Sequence, residues 1–244
     1  MEPIQLLGDG EEFHHFMDFL EGKLSESSFS GVPPSEESFG LQVKSRTKYG
    51  AEHDTVIWTG LVKLPELEER LRTLEADYGV PVDSTVAYLY LTPRCERRSA
   101  EKVVASYLRK INEEVNGGPK HHYRLDKEFV VQAMNTPDPK RKKWIEIDVD
   151  YPDIEESLIA GITERGGTVD FKVRTRGGIH LVIDRKELEN GELSKWLYTE
   201  VATWQFDAVD RNGNPLRKKM ADVRSDPCIP IPGTLQGGKL VKFF

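Results

Sequence analysis

The stretch "WIEIDVD" (residues 144–150) sets Glu146, Asp148 and Asp150 at every second position of an otherwise apolar run. In an extended strand alternate side chains share a face, so the three acids project together while Ile145, Ile147 and Val149 project the other way. Neighbouring carboxylates on one face stand ~6.5–7 Å apart and repel by ~2–2.5 kcal/mol at an effective dielectric near 20. Three arrangements relieve this: solvation on an open face, interleaved Lys or Arg from neighbouring strands, or bound divalent cations. Solvation is the usual fate of a lone acidic alternation. A hard cation such as Mg²⁺, however, takes one or two carboxylates and fills its remaining positions with waters and phosphate oxygens. Asp148 and Asp150 are therefore candidate ligands of a metal-and-phosphate site.

Two further segments carry residue types suited to the same chemistry. In "RTRGGIHLVI" (174–183), Gly177 and Gly178 permit a tight turn or a close backbone approach to a ligand. Thr175, Arg176 and the backbone N–H groups of that turn are candidate donors to phosphate oxygens. His180 opens the following strand, where an imidazole is placed for phosphate contact or proton handling. Taken alone, a histidine there is more often structural. In "DVRSDPCIPIPGTLQGG" (222–238), Asp222 and Asp226 offer more carboxylates ahead of a Pro-Gly turn, although Asp-Pro and Pro-Gly are also ordinary turn punctuation.

The elements that would position these residues follow from periodicity. From Trp144 onward the pattern predicts a strand, a helix ("DIEESLIAGITERGG"), two strands ("TVDFKVRT", "GGIHLVID"), a helix over 193–206 and a closing extended segment. This βαββα-β order matches the ferredoxin-like or RNA-recognition-motif (RRM) architecture, whose first and third strands lie side by side. Such adjacency would bring His180 beside the acids. Residues 40–140 read as an N-terminal α/β unit: strands at "GLQVKS", "DTVIWTGLVK", "TVAYLYLT" and "EFVVQAM", and helices over 64–79 and 97–115. The second helix carries the apolar stripe Val104, Leu108, Ile111 and Val115, ended by Gly117 and Gly118. Residues 1–39 comprise a short amphipathic helix with Phe13, Phe16, Met17 and Leu20 on one face, then a Ser/Pro/Gly/Glu-rich linker. The fold class is α/β (α+β), with residues 141–244 as the RRM-like unit. "NGN" within 206–226 suggests a hairpin that this order does not place.

With 244 residues and 38% hydrophobic content the chain can bury a substantial core. No apolar run approaches the ~20 residues of a membrane span, and the N-terminal stretch lacks a signal-peptide core, so a soluble cytoplasmic protein is expected. Cys95 and Cys228 have no ligand-like spacing and suggest neither a disulfide framework nor a zinc site. The pairs His14/His15 and His121/His122 have no arrangement of acids beside them and read as surface residues. The formal charge of −7 opposes phosphate binding overall, but residues 1–140 hold 17 Lys plus Arg against 24 Asp plus Glu, whereas 141–244 hold 17 against 17. The second part also groups its cations in "KRKK" (140–143), "RTR" (174–176) and "RKK" (217–219). Any one such run is by default a solvated face.

An hhhDhD strand, a small-residue turn ending in GxH, and an acid followed closely by "PGTLQGG" stand in this order over residues 144–238. Together they resemble the archaeo-eukaryotic primase (AEP) superfamily, the primase-polymerases. The resemblance implies a catalytic core joining an N-terminal α/β unit to an RRM-like unit, and template-directed nucleotidyl transfer on single-stranded or primed DNA. It implies that Asp148 and Asp150 are metal ligands, that Asp222 or Asp226 is the third metal-binding acid, and that His180 contacts the incoming triphosphate. Thr175, Arg176 and Gly178 would belong to the phosphate-binding turn. Two Mg²⁺ or Mn²⁺ ions, NTP or dNTP substrates, and a helicase or accessory subunit complete the expectation, with no membrane involved. Many relatives carry a basic residue before the Pro-Gly turn, where this chain has Pro230 and Ile231. Two other readings fit parts of the pattern. One is an RRM-like protein that binds nucleotide or nucleic acid without chemistry, although "GIHLVI" lacks the aromatics such sheets use. The other is a different two-metal phosphoryl-transfer enzyme, such as a nuclease.

Overall fold

In this computed structural model, residues 6–26, 33–77, 82–121, 123–209 and 214–244 are described. The first half runs α1 (Gly10–Glu26), β1 (Ser38–Ser45), β2 (Thr55–Lys63), α2 (Leu67–Asp77), β3 (Thr85–Tyr90), α3 (Glu96–Val115) and α4 (Leu125–Met134). The second runs β4 (Trp144–Val149), α5 (Glu155–Glu164), β5 (Phe171–Arg174), β6 (Ile179–Asp184), α6 (Gly191–Lys195), β7 (Gln205–Val209), β8 (Pro215–Lys219), β9 (Ala221–Arg224) and β10 (Cys228–Pro230). Three two-residue strands follow: β11 (Leu235–Gln236), β12 (Lys239–Leu240) and β13 (Lys242–Phe243). The chain is thus of the mixed α/β class expected.

Two larger antiparallel sheets organise the molecule, in the orders β10-β3-β1-β2 and β13-β5-β6-β4-β9. In the second, the strand bearing the acids lies between the strand bearing His180 and the strand bearing Asp222. The first sheet takes its edge strand β10 from the C-terminal part of the chain, pairing Cys228–Pro230 with Tyr88–Tyr90. Pro230 is tolerated there because an edge strand needs donors on one side only.

Alternation divides the second sheet into two unlike faces. Ile145, Ile147, Val149, Ile179, Leu181 and Ile183 turn toward Leu158 and Ile162 of α5 and Leu193 of α6, forming one apolar core. On the opposite face, Trp144, Phe171, Val173 and Val182 meet Phe16 and Leu20 of α1, Leu41 and Val43 of β1, and Leu89 of β3 in another. Glu146, Asp148 and His180 occupy this same face, which looks toward the first sheet. The acids therefore do not lie on an open, solvated surface: the apolar core between the sheets gives way to a charged cleft at their end.

Several local expectations differ from the structure. "EFVVQAM" lies in helix α4, not a strand. Its Ala133 and Met134 are buried and Glu128 accepts from Ser106 and Lys110 of α3, both at 2.7 Å. Tertiary contact with α3 and the acidic first turn (Asp126, Glu128) outweigh the β propensity of "FVV". The stripe on α3 faces outward, with Val104 57%, Leu108 63% and Val115 78% exposed. The helix instead turns Ser99, Val103, Ser106 and Lys110 inward, since the hydrogen bonds to α4 and the Tyr107–Tyr123 ring contact fix its rotation. The helix expected over 193–206 shortens to α6, one π turn (Trp196–Glu200) and one 3-10 turn (Val201–Thr203), and Gln205 already begins β7. β7 pairs with β8, so the hairpin exists; of "NGN", Asn212 and Gly213 lie outside the described residues.

Candidate functional site

The site is built on the register of β4. Asp148 lies directly opposite His180 of β6 on one side and Asp222 of β9 on the other, and Glu146 lies opposite Arg224. Glu146 is fully buried. One of its oxygens accepts from His180 Nδ1 at 2.6 Å and from Arg224 Nη1 at 3.2 Å, while the other accepts from the backbone N–H of Cys228 at 2.7 Å. Three donors thus replace the water that burial removes from this carboxylate. Its effect is to fix the His180 ring, leaving Nε2 3.7 Å from Asp148 Oδ1. Burial disfavours the imidazolium of His180, yet the Glu146 hydrogen bond and the nearby Asp148 and Glu146 charges prevail and raise its pKa.

Asp148 and Asp150 differ in their surroundings. Asp148 Oδ2 accepts from Arg224 Nη2 at 2.6 Å, so a guanidinium bridges Glu146 and Asp148. Interleaved arginine thus relieves part of the repulsion expected along the strand. Among the described residues the Asp150 carboxylate has no hydrogen-bond or ion-pair partner, and partial burial followed by the Asp148 charge raises its pKa. A geometric trio with ligand atoms mutually within 4.8 Å is formed by Glu146, Asp148 and His180. Glu146 is a poor ligand nonetheless, since both its oxygens are committed to donors. The donor set that fits a hard divalent cation is Asp148, through Oδ1, together with Asp150.

The turn before β6 packs directly on these acids. A Cβ on Gly178 would lie 2.1 Å from the Val149 carbonyl oxygen and 3.4 Å from the Asp150 Cα, so only glycine permits this approach, whereas Gly177 faces open space. Thr175 closes the turn on itself: its hydroxyl donates to the Gly178 carbonyl and accepts from the Gly178 N–H, both at 3.1 Å. Arg176 is directed elsewhere. Its Nη1 donates to the Gly237 carbonyl at 2.6 Å, its backbone N–H donates to Gln236 Oε1 at 2.7 Å, and its guanidinium lies over the Tyr49 ring. It ties the turn to the C-terminal segment and does not line the cleft.

The remaining two acids are engaged by cations. Asp226 lines the cleft but receives both terminal nitrogens of the buried Arg94, at 2.9 and 3.3 Å. Asp222, although beside Asp148 in the sheet, accepts from Lys219 at 2.9 Å and does not line the cleft. The Pro-Gly turn is structural: Gly233, at φ 79°, accepts from the N–H groups of Gly8 and Asp9 and abuts Phe13 at the start of α1.

The cleft encloses about 420 Å³, and its other wall comes from the first sheet and the turn that follows β1: Lys44, Tyr88 and Tyr90 from the strands, Arg46 and Lys48 from the turn. Sequence reasoning assigned none of these to a site. Their signal was present as cations at every second position, Lys44, Arg46 and Lys48, of "LQVKSRTK", which leaves strand β1 after Ser45 and enters a 3-10 turn at Thr47–Tyr49. Lys44, held over the Tyr88 ring, has its pKa lowered first by burial. Arg46 pairs with Asp54 at 3.3 Å, and Lys48 has no ion-pair partner among the described residues. The Cys228 thiol is pushed up to about 12 by burial, which removes it as a nucleophile. Compared with protein-family models, curated proteins and solved structures, the chain gives no match.

Proposed function

We propose that the chain is a metal-dependent nucleotidyltransferase of primase-polymerase type, extending single-stranded or primed DNA from nucleoside triphosphates. One observation carries this reading: Asp148 and Asp150 line a cleft of about 420 Å³ whose facing wall presents Lys44, Arg46 and Lys48. Acids on one wall and cations on the other suit a divalent cation bound to a triphosphate. The volume lies in the range of small-ligand sites. Asp148 and Asp150 would hold the ion, which when bound supplies neutralisation of phosphate charge and acidification of an attacking hydroxyl. Lys44 and Lys48 hold the polyphosphate, and His180, oriented by Glu146, offers its Nε2–H as a donor beside Asp148. Gly177, which faces open space, lets the ligand approach the backbone. Positioning and charge neutralisation by these residues account for the catalysis expected of phosphoryl transfer.

The test is incubation with Mg²⁺ or Mn²⁺, labelled dNTPs or NTPs and a primed single strand. Extension is expected, and Asp148→Asn should abolish it without loss of fold. A specific observation favours a second reading. Because Arg224 already bridges Glu146 and Asp148, the same cleft suits a protein that binds nucleotide without catalysing its transfer. Nucleotide binding that survives Asp148→Ala, with no extension by the unaltered chain, would select it. Shortening of the strand would select a nuclease.

A further inference from the structure

A second cavity, of about 520 Å³, opens where β4 begins and β6 ends, and is lined by Lys140, Lys142, Lys143, Arg185 and Lys186. Two chain segments build it. The Arg185 N–H donates to the Lys143 carbonyl at 2.6 Å, and Lys143 reaches Asp184 at 3.9 Å. Asp184 is occupied further, since it caps the turn that follows by accepting from the Lys186 N–H. Lys140, Lys142, Arg185 and Lys186 have no acid within ion-pair distance among the described residues. Against these four cations the lining sets Glu189 and the Lys143-paired Asp184, so the cavity keeps a net positive charge that calls for an anion.

The cavity exceeds the needs of a lone phosphate and also offers the ring of Tyr198, which is 42% exposed on its wall. Cations that track a backbone beside an aromatic face on which a base stacks are the combination that holds single-stranded nucleic acid. The location agrees. Ser225 lines this cavity, whereas its neighbours Arg224 and Asp226 line the charged cleft, so three residues form the wall between them.

We infer that the basic cavity bounded by residues 140–143, 185–186 and Tyr198 is a binding site for a single-stranded nucleic-acid segment, which then passes over residues 224–226 toward the charged cleft. Only the strand's destination rests on the proposed nucleotidyl transfer; the binding itself does not.

The test measures fluorescence anisotropy of a labelled 15-nucleotide single strand, in EDTA, between 50 and 200 mM salt. The triple variant Lys140→Ala, Arg185→Ala, Lys186→Ala removes three exposed cations. Its log–log salt slope should fall by about 2, because each phosphate contact on a single strand contributes about 0.7. Over that fourfold salt range the unaltered chain should consequently lose about 20-fold more affinity than the variant. Lys140→Arg with Lys186→Arg should retain the original slope, and Tyr198→Ala should weaken binding about 5-fold or more. Should the triple variant melt early, Lys186→Ala alone should lower the slope by about 0.7. An unchanged slope and affinity would overturn the inference, as would displacement of the strand by inorganic phosphate at concentrations where chloride of equal ionic strength does nothing. Because no divalent ion or turnover enters, a lowered slope alongside absent extension would uphold this site while removing the catalytic reading.

Discussion

Asp150→Asn isolates the physical idea on which the site depends. Asp148 and Asp150 share a face ~6.5–7 Å apart, which gives ~2–2.5 kcal/mol of repulsion at an effective dielectric near 20. Asp150 is exposed to the cleft, so water screens this to about 1 kcal/mol. Removing one charge should therefore raise the melting temperature by about 2–4 °C at pH 7 for a chain of this size. The pH dependence has a fixed sign. Partial burial and the Asp148 charge raise the pKa of Asp150 in the folded state above the ordinary aspartate value, so folding favours the protonated form. The penalty is absent below the unfolded pKa and develops as pH climbs through the folded one, so the advantage of the Asn variant should be full at pH 7 and vanish below about pH 3.8. Divalent cations should invert the ranking: at tenfold excess over Kd, Mn²⁺ adds about 1.4 kcal/mol to the unaltered protein and little to the variant. Differential scanning fluorimetry across pH, with and without Mn²⁺, reads all of this. A variant less stable at pH 7, or an unaltered chain indifferent to Mn²⁺, would refute the assignment of these acids to a cation.

Four other substitutions probe separate parts. Glu146→Ala should destabilise by about 3–5 kcal/mol, seen in chemical denaturation, because it strips a fully buried carboxylate from His180 and Arg224. Gly178→Ala should cost about 1–3 kcal/mol and impair extension, since its methyl would sit 2.1 Å from the Val149 oxygen. Asp226→Ala should lower stability by about 3–5 kcal/mol by leaving the buried Arg94 guanidinium without its acid; a loss confined to activity would instead mark Asp226 as a metal ligand. Leu108→Glu should change stability by no more than about 0.5 kcal/mol, because that side chain is 63% exposed.

What the sequence made legible follows from what alternation can encode. Period two placed Glu146 and Asp148 on one face, and the order of elements put β6 beside β4, so the approach of His180 to the acids was readable from residues 144–184. Alternation could not say what lay opposite that face. Arg224 reaches the acids from β9, a strand the element order did not place, and Lys44, Arg46 and Lys48 reach them through a facing of sheets that local pattern does not specify. The same limit explains α3 and α4: "FVV" has strand propensity, and the Val104 stripe has helical period, but which side turns inward is decided by Ser106, Lys110 and Glu128 across the helix pair. Thr175 and Arg176 have the residue types of a phosphate turn, yet each spends its donors on closing or anchoring the loop.

The two alternating rows also explain how an acidic chain can offer a site for phosphate. A net charge of −7 acts over the whole surface, and at physiological salt it is screened beyond about 8 Å. Within the cleft the relevant charges are closer than that. Asp148 is neutralised in part by Arg224, and Asp150 is opposed by Lys48, one of the charges that lower its pKa. Acids and cations are therefore nearly matched inside the cleft, and a divalent cation arriving at Asp148 exchanges an existing partner, Arg224, instead of entering a bare field. Such exchange makes binding depend on both ligands together: a cation on Asp148 releases Arg224 for phosphate, and a phosphate on the released Arg224 and on Lys48 adds negative charge that favours the cation. Triphosphate affinity should accordingly rise with Mn²⁺ and Mn²⁺ affinity with triphosphate, by the same factor. Isothermal titration of each ligand in the presence and absence of the other measures both factors. Independent binding of the two would show that the rows do not face one shared ligand.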